Sequence, residues 1–160
     1  MQDYRLEPAR AADAARLAAM SHELIESGLR PAWGPQRIGW YVRHAESVVL
    51  TARSDRTIAG FAIMRYGEAA AHLNLLAVDP AYRRRGIGRR LVTWLEETAL
   101  TAGAYLVGLE LRAQNLEAQD FYRALGYREV GRVPGYYQGV EAAIRMERDV
   151  RVSRPAAARS

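Results

Sequence analysis

Three groups of residues in this 160-residue chain have types and spacings that could do chemistry. The first runs Asp79-Pro80-Ala81-Tyr82-Arg83-Arg84-Arg85-Gly86-Ile87-Gly88-Arg89-Arg90. An apolar run, Leu75-Leu76-Ala77-Val78, stops at Asp79-Pro80. A short basic loop follows, and two glycines spaced G-x-G lead into an amphipathic helical pattern. At a helix N-terminus several N–H groups lack an intrahelical acceptor, and the helix dipole adds positive potential. Glycine lets the backbone approach a bulky ligand. The chemistry is anion binding: a site for a pyrophosphate, with arginines nearby for further phosphates. The competing reading is a turn with a solvated arginine face.

The second group centres on Glu110. In Val107-Gly108-Leu109-Glu110-Leu111-Arg112 the alternation puts Leu109 and Leu111 on one strand face and Glu110 on the other. Glu110 is either a general base in a cleft or an exposed strand carboxylate. The third group is Asn115-x-x-Ala118-x-x-Phe121-Tyr122. Asn115 can cap the helix that follows, and its amide can bond an amide-bearing ligand. Tyr122, two turns on, is either a proton donor or a core aromatic.

Other chemistries are excluded. The chain has no cysteine, so disulfides, a thiolate nucleophile and a cysteine zinc site are ruled out. His22-Glu23-Leu24-Ile25-Glu26 begins like a zinc-protease helix but lacks the second histidine at i+4. His44 and His72 have no metal-ligand partners at useful spacing. There is no G-x-S-x-G. A dinucleotide fold wants G-x-G-x-x-G directly after the strand; here Leu91 holds the third position and seven residues intervene. No metal site is expected.

These residues need elements to hold them. Strands are expected at Tyr4–Glu7 (ended by Pro8), Ser47–Ala52, Thr57–Tyr66, His72–Val78, Tyr105–Arg112, Tyr127–Val133 and Ala142–Arg148. Helices are expected at Asp13–Glu26, Gln36–His44, Gly86–Ala102 and Leu116–Leu125, with Leu91, Leu95, Thr98/Ala99 and Ala102 as the inner stripe of the third. A loop carrying Trp33 lies among Gly28, Pro31, Gly34 and Pro35. Length and pattern predict one domain over residues 1–150 and a disordered Arg/Ala-rich tail over 151–160. Net charge is +5, and all 23 basic residues are arginine. That balance suits an anionic ligand without singling out nucleic acid. With neither a membrane-length apolar run nor a signal-peptide pattern at the N-terminus, a soluble cytoplasmic protein is expected, with no DNA or membrane partner.

Taken together and in this order, the three groups resemble the GNAT N-acetyltransferase superfamily. Its Arg/Gln-x-x-Gly-x-Gly/Ala signature is matched by Arg83-Arg84-Arg85-Gly86-Ile87-Gly88. Within it the chain is most similar to the ribosomal-protein-alanine N-acetyltransferases. The similarity runs through Leu75 to Pro80, Leu109 to Asn115, Phe121 to Tyr127, then Tyr136-Tyr137 and Glu141-x-Ala143. It implies an α/β (α+β) fold, a mixed, mostly antiparallel sheet of about six to seven strands with helices on both faces.

The resemblance also implies acetyl-CoA as donor. Leu76, Ala77 and Val78 would offer backbone groups to the pantetheine arm. Arg83, Arg84, Arg85, Gly86, Ile87, Gly88 and Arg89 would hold the phosphates, and Asn115 would touch the arm again. Glu110 falls at the proton acceptor and Tyr122 at the proton donor. Trp33, Tyr136 and Tyr137 fall on the acceptor side. The implied reaction is direct acetyl transfer in a ternary complex. The preferred acceptor is a protein N-terminal α-amine, such as that of a ribosomal protein. An α-amine, with a pKa near 8, is more readily neutral than a lysine near 10.4. A small-molecule amine and a non-catalytic acetyl-CoA or RNA-binding module are the alternatives. The closing pattern departs from the family, with Ala142 in place of an aspartate.

Overall fold

The structure is a computed structural model, and it describes residues 4–152. Residues 153–160 of the expected tail, and residues 1–3, lie outside the described residues. Strand β1 is Arg5–Pro8, β2 Ser47–Arg53, β3 Ile58–Tyr66, β4 Ala70–Val78, β5 Leu106–Arg112, β6 Arg128–Tyr137 and β7 Glu141–Asp149. Helix α1 is Ala14–Leu24, α2 Pro35–Arg43, α3 Ile87–Thr101 and α4 Leu116–Ala124. The strands form a seven-stranded sheet in the order β1-β2-β3-β4-β5-β7-β6. The pairs β1–β2, β2–β3, β5–β7 and β6–β7 are antiparallel. This is the α/β architecture expected from the sequence.

The chain divides into two compact units. One comprises the residues through Tyr66 together with Leu73–Leu95; the other comprises Gly67–His72 and the residues from Glu96 onward. Strand β4 and helix α3 contribute to both.

The first unit packs α1 and α2 on a core that includes Leu17, Ile38, Phe61, Ile63, Leu75 and Ala77. Strand β4 alternates: Ala71, Leu73, Leu75 and Ala77 are buried, while His72, Asn74, Leu76 and Val78 take the other face and are half-buried. The Asp79-Pro80 break is built as expected. The Asp79 carboxylate accepts from the Ala81 N–H at 2.9 Å and starts a single 3-10 turn, Pro80–Tyr82. Gly60 is needed where β3 meets the end of β4. A Cβ there would lie 2.8 Å from the Ala77 carbonyl oxygen and 3.3 Å from a Val78 methyl.

In the second unit, Val107, Leu109, Leu111, Ile144 and Met146 are buried on the paired strands β5 and β7. Glu96 is buried and paid for by two partners, the Tyr127 hydroxyl at 2.8 Å and Arg148 at 3.0 Å. Just past the end of helix α3 stands Gly103, whose φ of +92° suits glycine, and the Ala104 N–H closes back on the Ala99 carbonyl at 2.9 Å. The buried stripe of α3 stops at Ala99; Ala102 is exposed.

Several bounds differ from the sequence expectation, among them α1, which ends at Leu24 rather than Glu26, and β4, which begins at Ala70 rather than His72. Pro8 is the last residue of β1, paired with Leu50, where the expected strand stopped one residue earlier at Glu7. Strand β6 continues through Pro134 to Tyr137 instead of stopping at Val133. Both strands are sheet edges, where a missing N–H costs no ladder bond. Arg151 is tied down rather than part of a free tail. Its guanidinium holds Asp149 at 2.7 Å and lies 4.0 Å from the Tyr105 ring centre. Among the described residues no helix is long and apolar enough to cross a membrane.

Candidate active site

In the first unit the glycine loop is a backbone cradle. The first bond inside α3 runs from the Arg90 N–H to the Gly86 carbonyl at 3.0 Å. The amides of Gly86, Ile87, Gly88 and Arg89 precede it and have no acceptor within the helix. Arg84 and Gly86 both adopt left-handed backbone, φ +64° and +74°. That conformation costs a non-glycine residue about 1–2 kcal/mol and turns successive amides to one side, as in anion-binding nests. The arginines divide the work. Arg85 donates to the Tyr4 hydroxyl at 3.2 Å, Arg90 to the Tyr4 carbonyl at 3.0 Å, and Arg83 reaches the Val78 carbonyl at 3.5 Å. Arg84 and Arg89 are exposed, with no side-chain bond among the described residues. Leu76 and Val78 present their half-buried face on β4, and Ala77 points into the core.

Trp33 sits in the same unit, on the loop between α1 and α2. The buried Glu26 carboxylate shapes that loop by accepting from the Ala32 and Trp33 N–H groups and the Ser21 hydroxyl. Arg37 lies 3.8 Å over the Trp33 ring, and Tyr41 packs beside it at 5.1 Å.

In the second unit Glu110 is not an exposed strand carboxylate: its side chain is 15% exposed. Three groups converge on it. His72 Nε2 lies 2.8 Å from Oε1, the Tyr136 hydroxyl donates to Oε1 at 3.1 Å, and Arg145, its partner across β5–β7, lies 3.6 Å from Oε2. The His72 hydrogen bond holds the carboxyl below its ordinary range despite partial burial, with Tyr136 and Arg145 adding to the effect. Glu110 is therefore an ionised acceptor at neutral pH, aimed at an imidazole.

Tyr136 and Tyr137 meet edge to face at 5.0 Å at the end of β6. Their hairpin is pinned to β5 by the Arg112–Glu141 pair, with N···O distances of 2.8 and 2.6 Å. Ala142, the position where the closing pattern departs from the resemblance, accepts from the Ala113 N–H at 3.0 Å through its carbonyl. Asn115 caps α4 by accepting from the Ala118 N–H at 3.0 Å. Its oxygen is committed to that cap, and its NH2 is the part that suits a ligand carbonyl. Gln119 holds the same loop by donating to the Ala113 carbonyl at 2.9 Å. Tyr122 is buried, with ring contacts to Phe121 and Tyr127. Burial pushes its phenol well above the ordinary value, and Tyr137 adds to the shift.

The structure thus joins Glu110 to Tyr136 and adds His72, a residue with no metal-ligand partner at useful spacing in the sequence. The signal for His72 was present in β4. Period two places it on the face of Leu76 and Val78. Its partner could be found only by knowing that β4 and β5 are neighbours.

The family model for the acetyltransferase (GNAT) family matches residues 15–127, which include parts of both units. An N-alpha-acetyltransferase RimI of Mycobacterium tuberculosis is 36% identical over 143 residues, covering 86% of this chain and 87% of that protein. The crystal structure of the ribosomal-protein-S18-alanine N-acetyltransferase from Escherichia coli superposes with TM-score 0.79 at 24% identity, covering 96% of this chain and 97% of that one. Arabidopsis thaliana NAA60 in complex with acetyl-CoA gives TM-score 0.80 at 18% identity, covering 93% and 99%. The glycine loop, the carboxylate cluster and the sheet order are thus accompanied by a family match across most of the chain, and the chain belongs to the acetyltransferase (GNAT) family.

Proposed function

We propose that this GNAT-family N-acetyltransferase moves acetyl from acetyl-CoA to a protein N-terminal α-amine, by direct attack in a ternary complex. The observation that carries the reading is the convergence of His72 and Tyr136 on Glu110 Oε1. Binding acetyl-CoA alone needs no such proton-handling cluster. The relative named as an N-alpha-acetyltransferase supports the acceptor class.

On this reading the amides from Gly86 to Arg89, with Arg84 and Arg89, hold the donor's pyrophosphate and neighbouring phosphate. The residue types fit: backbone donors, exposed guanidiniums and a glycine at each close approach. Arg83 and Arg85 keep the loop in shape through Val78 and Tyr4. Leu76, Ala77 and Val78 offer main-chain groups to the pantetheine arm, and the Asn115 amide offers another. Residues 1–150 act as one acetyltransferase domain, and the cytoplasm is the proposed compartment.

Glu110 and His72 take the amine's proton as a pair, Glu110 fixing the imidazole and balancing the charge it gains. Histidine is the side chain most often used as a general base. The amine then attacks the thioester carbon, and a β4 amide near Val78 stabilises the oxyanion. Tyr122 stays protonated and directs its hydrogen at the departing sulfur. Tyr136 and Tyr137, with Trp33, contact the acceptor's first residues.

The test is CoA release from acetyl-CoA with a panel of peptides of varied N-terminal residue, set against polyamines and other small amines. Release with peptides above that with small amines is the expected result. Preference for a small amine would move the acceptor to that class.

A further inference from the structure

Three arginines stand on the paired strands β5 and β7: Arg112, Arg145 and Arg148. Two of them are committed to partners. Arg112 holds Glu141 at 2.8 and 2.6 Å; Arg148 holds Glu96 at 3.0 Å and donates to the Val152 carbonyl at 2.7 Å. Arg145 differs. Its Nε lies 3.6 Å from Glu110 Oε2, too far for a hydrogen bond, and its side chain is 51% exposed. A guanidinium carries five N–H donors in a fixed fork, four of them on its two terminal nitrogens. At Arg145 none of these has an acceptor among the described residues. The space beside it is open: its partner across β6–β7 is Gly131, where a Cβ would meet nothing within 4 Å. Glu147, next on the same face of β7, is about 7 Å along the strand, in register with Arg128 of opposite charge.

The place of Arg145 in the ladder says what it meets. It is the direct partner of Glu110 across β5–β7, and facing residues of an antiparallel pair are about 4.5–5.5 Å apart. His72, Glu110, Tyr136 and Arg145 all belong to the second unit. If the acceptor's α-amine gives its proton to His72 and Glu110, it comes within about 3 Å of that pair. Successive residues of an extended peptide are about 3.4 Å apart. The side chains of its first three residues therefore fall within the reach of an arginine that stands beside Glu110. A guanidinium selects a carboxylate, which it grips with two parallel hydrogen bonds. Glu110 does not fill that role, because its Oε1 serves His72 and Tyr136 and its Oε2 stays 3.6 Å away.

We propose that Arg145 forms a carboxylate-binding subsite beside the proton acceptor, and that the enzyme favours acceptor peptides with an aspartate or glutamate among their first three residues. This rests on the acetyltransferase reading above. It assigns a side chain of the acceptor, whereas His72 and Glu110 handle only its amine.

The experiment uses peptides of one sequence with aspartate or asparagine placed at residue 1, 2 or 3, assayed by CoA release at saturating acetyl-CoA. Wild type, R145Q and R145K are compared, and thermal unfolding is recorded for each. Expected for wild type, at one or more of the three positions, is a kcat/KM about five- to tenfold higher for the aspartate peptide than for its asparagine twin, carried mainly by KM. Added salt shrinks that ratio, because the contact is half-exposed. R145Q brings the ratio close to one. R145K, which keeps the charge but not the fork, keeps part of it. A ratio near one in wild type at all three positions overturns the inference while the transferase stands. A ratio that survives R145Q does the same. A uniform loss of kcat in R145Q with the ratio intact confines Arg145 to balancing the charge of Glu110, which also overturns the subsite. Transfer by wild type to small amines and to no peptide removes the acceptor reading, and this inference with it.

Discussion

His72 Nε2 and Glu110 Oε1 lie 2.8 Å apart although 38 residues separate them in the chain. One is on β4 and the other on β5. The bond couples a carboxylate held ionised to an imidazole that is 40% exposed, so the ring can both meet a substrate and have its charge balanced. If that pair receives the amine's proton, H72A and E110Q should each lower kcat and lower it together. Their double variant should cost about as much as the worse single change, since residues acting as a unit are not additive. The deficit should be largest at low pH, where fewer amines are already neutral. pH–rate profiles of the three variants that superimpose on wild type would return both residues to structural duty.

The same carboxylate makes a stability prediction. The Glu110 value in the folded protein lies below the ordinary one. Its ionised form therefore contributes stability in full above the ordinary carboxylate range, and that contribution is lost as pH falls through the folded-state value. E110Q lacks the contribution. The difference in urea stability between wild type and E110Q should shrink as pH falls below about 4. A gap that widens in acid contradicts the assignment.

Tyr122→Phe keeps the ring contacts with Phe121 and Tyr127 and removes only the hydroxyl. A positioned acid contributes about 10²–10⁴-fold, so kcat should fall by roughly 10²-fold or more. The Kd for acetyl-CoA, measured by calorimetry, should not move. Unchanged turnover would make Tyr122 a core aromatic.

Gly88 precedes the first intrahelical bond donor of α3 and has no side chain to block a phosphate. Gly88→Val should abolish acetyl-CoA binding in calorimetry while the circular dichroism spectrum stays that of wild type. Retained affinity in the folded variant would remove the loop from the donor site.

Gly60→Ala tests how tightly the end of β4 is set. Its Cβ would meet the Ala77 carbonyl at 2.8 Å, and backbone cannot yield cheaply. A loss of about 1–3 kcal/mol by urea denaturation is expected, as for other overpacked sites. Weaker acetyl-CoA binding should accompany it, because Ala77 and Val78 must shift. An unchanged protein would show that β4 has slack there.

What could be read from the sequence follows from the range of each interaction. The glycine loop and the Asp79-Pro80 turn are local, and their chemistry is written in consecutive residues. The alternation around Glu110 gave its face but not its neighbours. His72 and Tyr136 reach it from other strands, across 38 and 26 residues. Nothing in either local pattern encodes that pairing. Pro8 and Pro134 fit within β1 and β6 because both strands are sheet edges, which the local sequence does not say. The ion pair of Arg112 with Glu141 likewise needed the β5–β7–β6 arrangement to be visible.

Transfer to a peptide α-amine underlies every assignment on the acceptor side. The most direct measurement presents one lysine-containing peptide twice, with a free and with a blocked N-terminus, and locates the acetyl group by mass spectrometry. Acetylation of the free form at its N-terminus, and none of the blocked form, is expected. Equal acetylation of the two, on lysine, contradicts it.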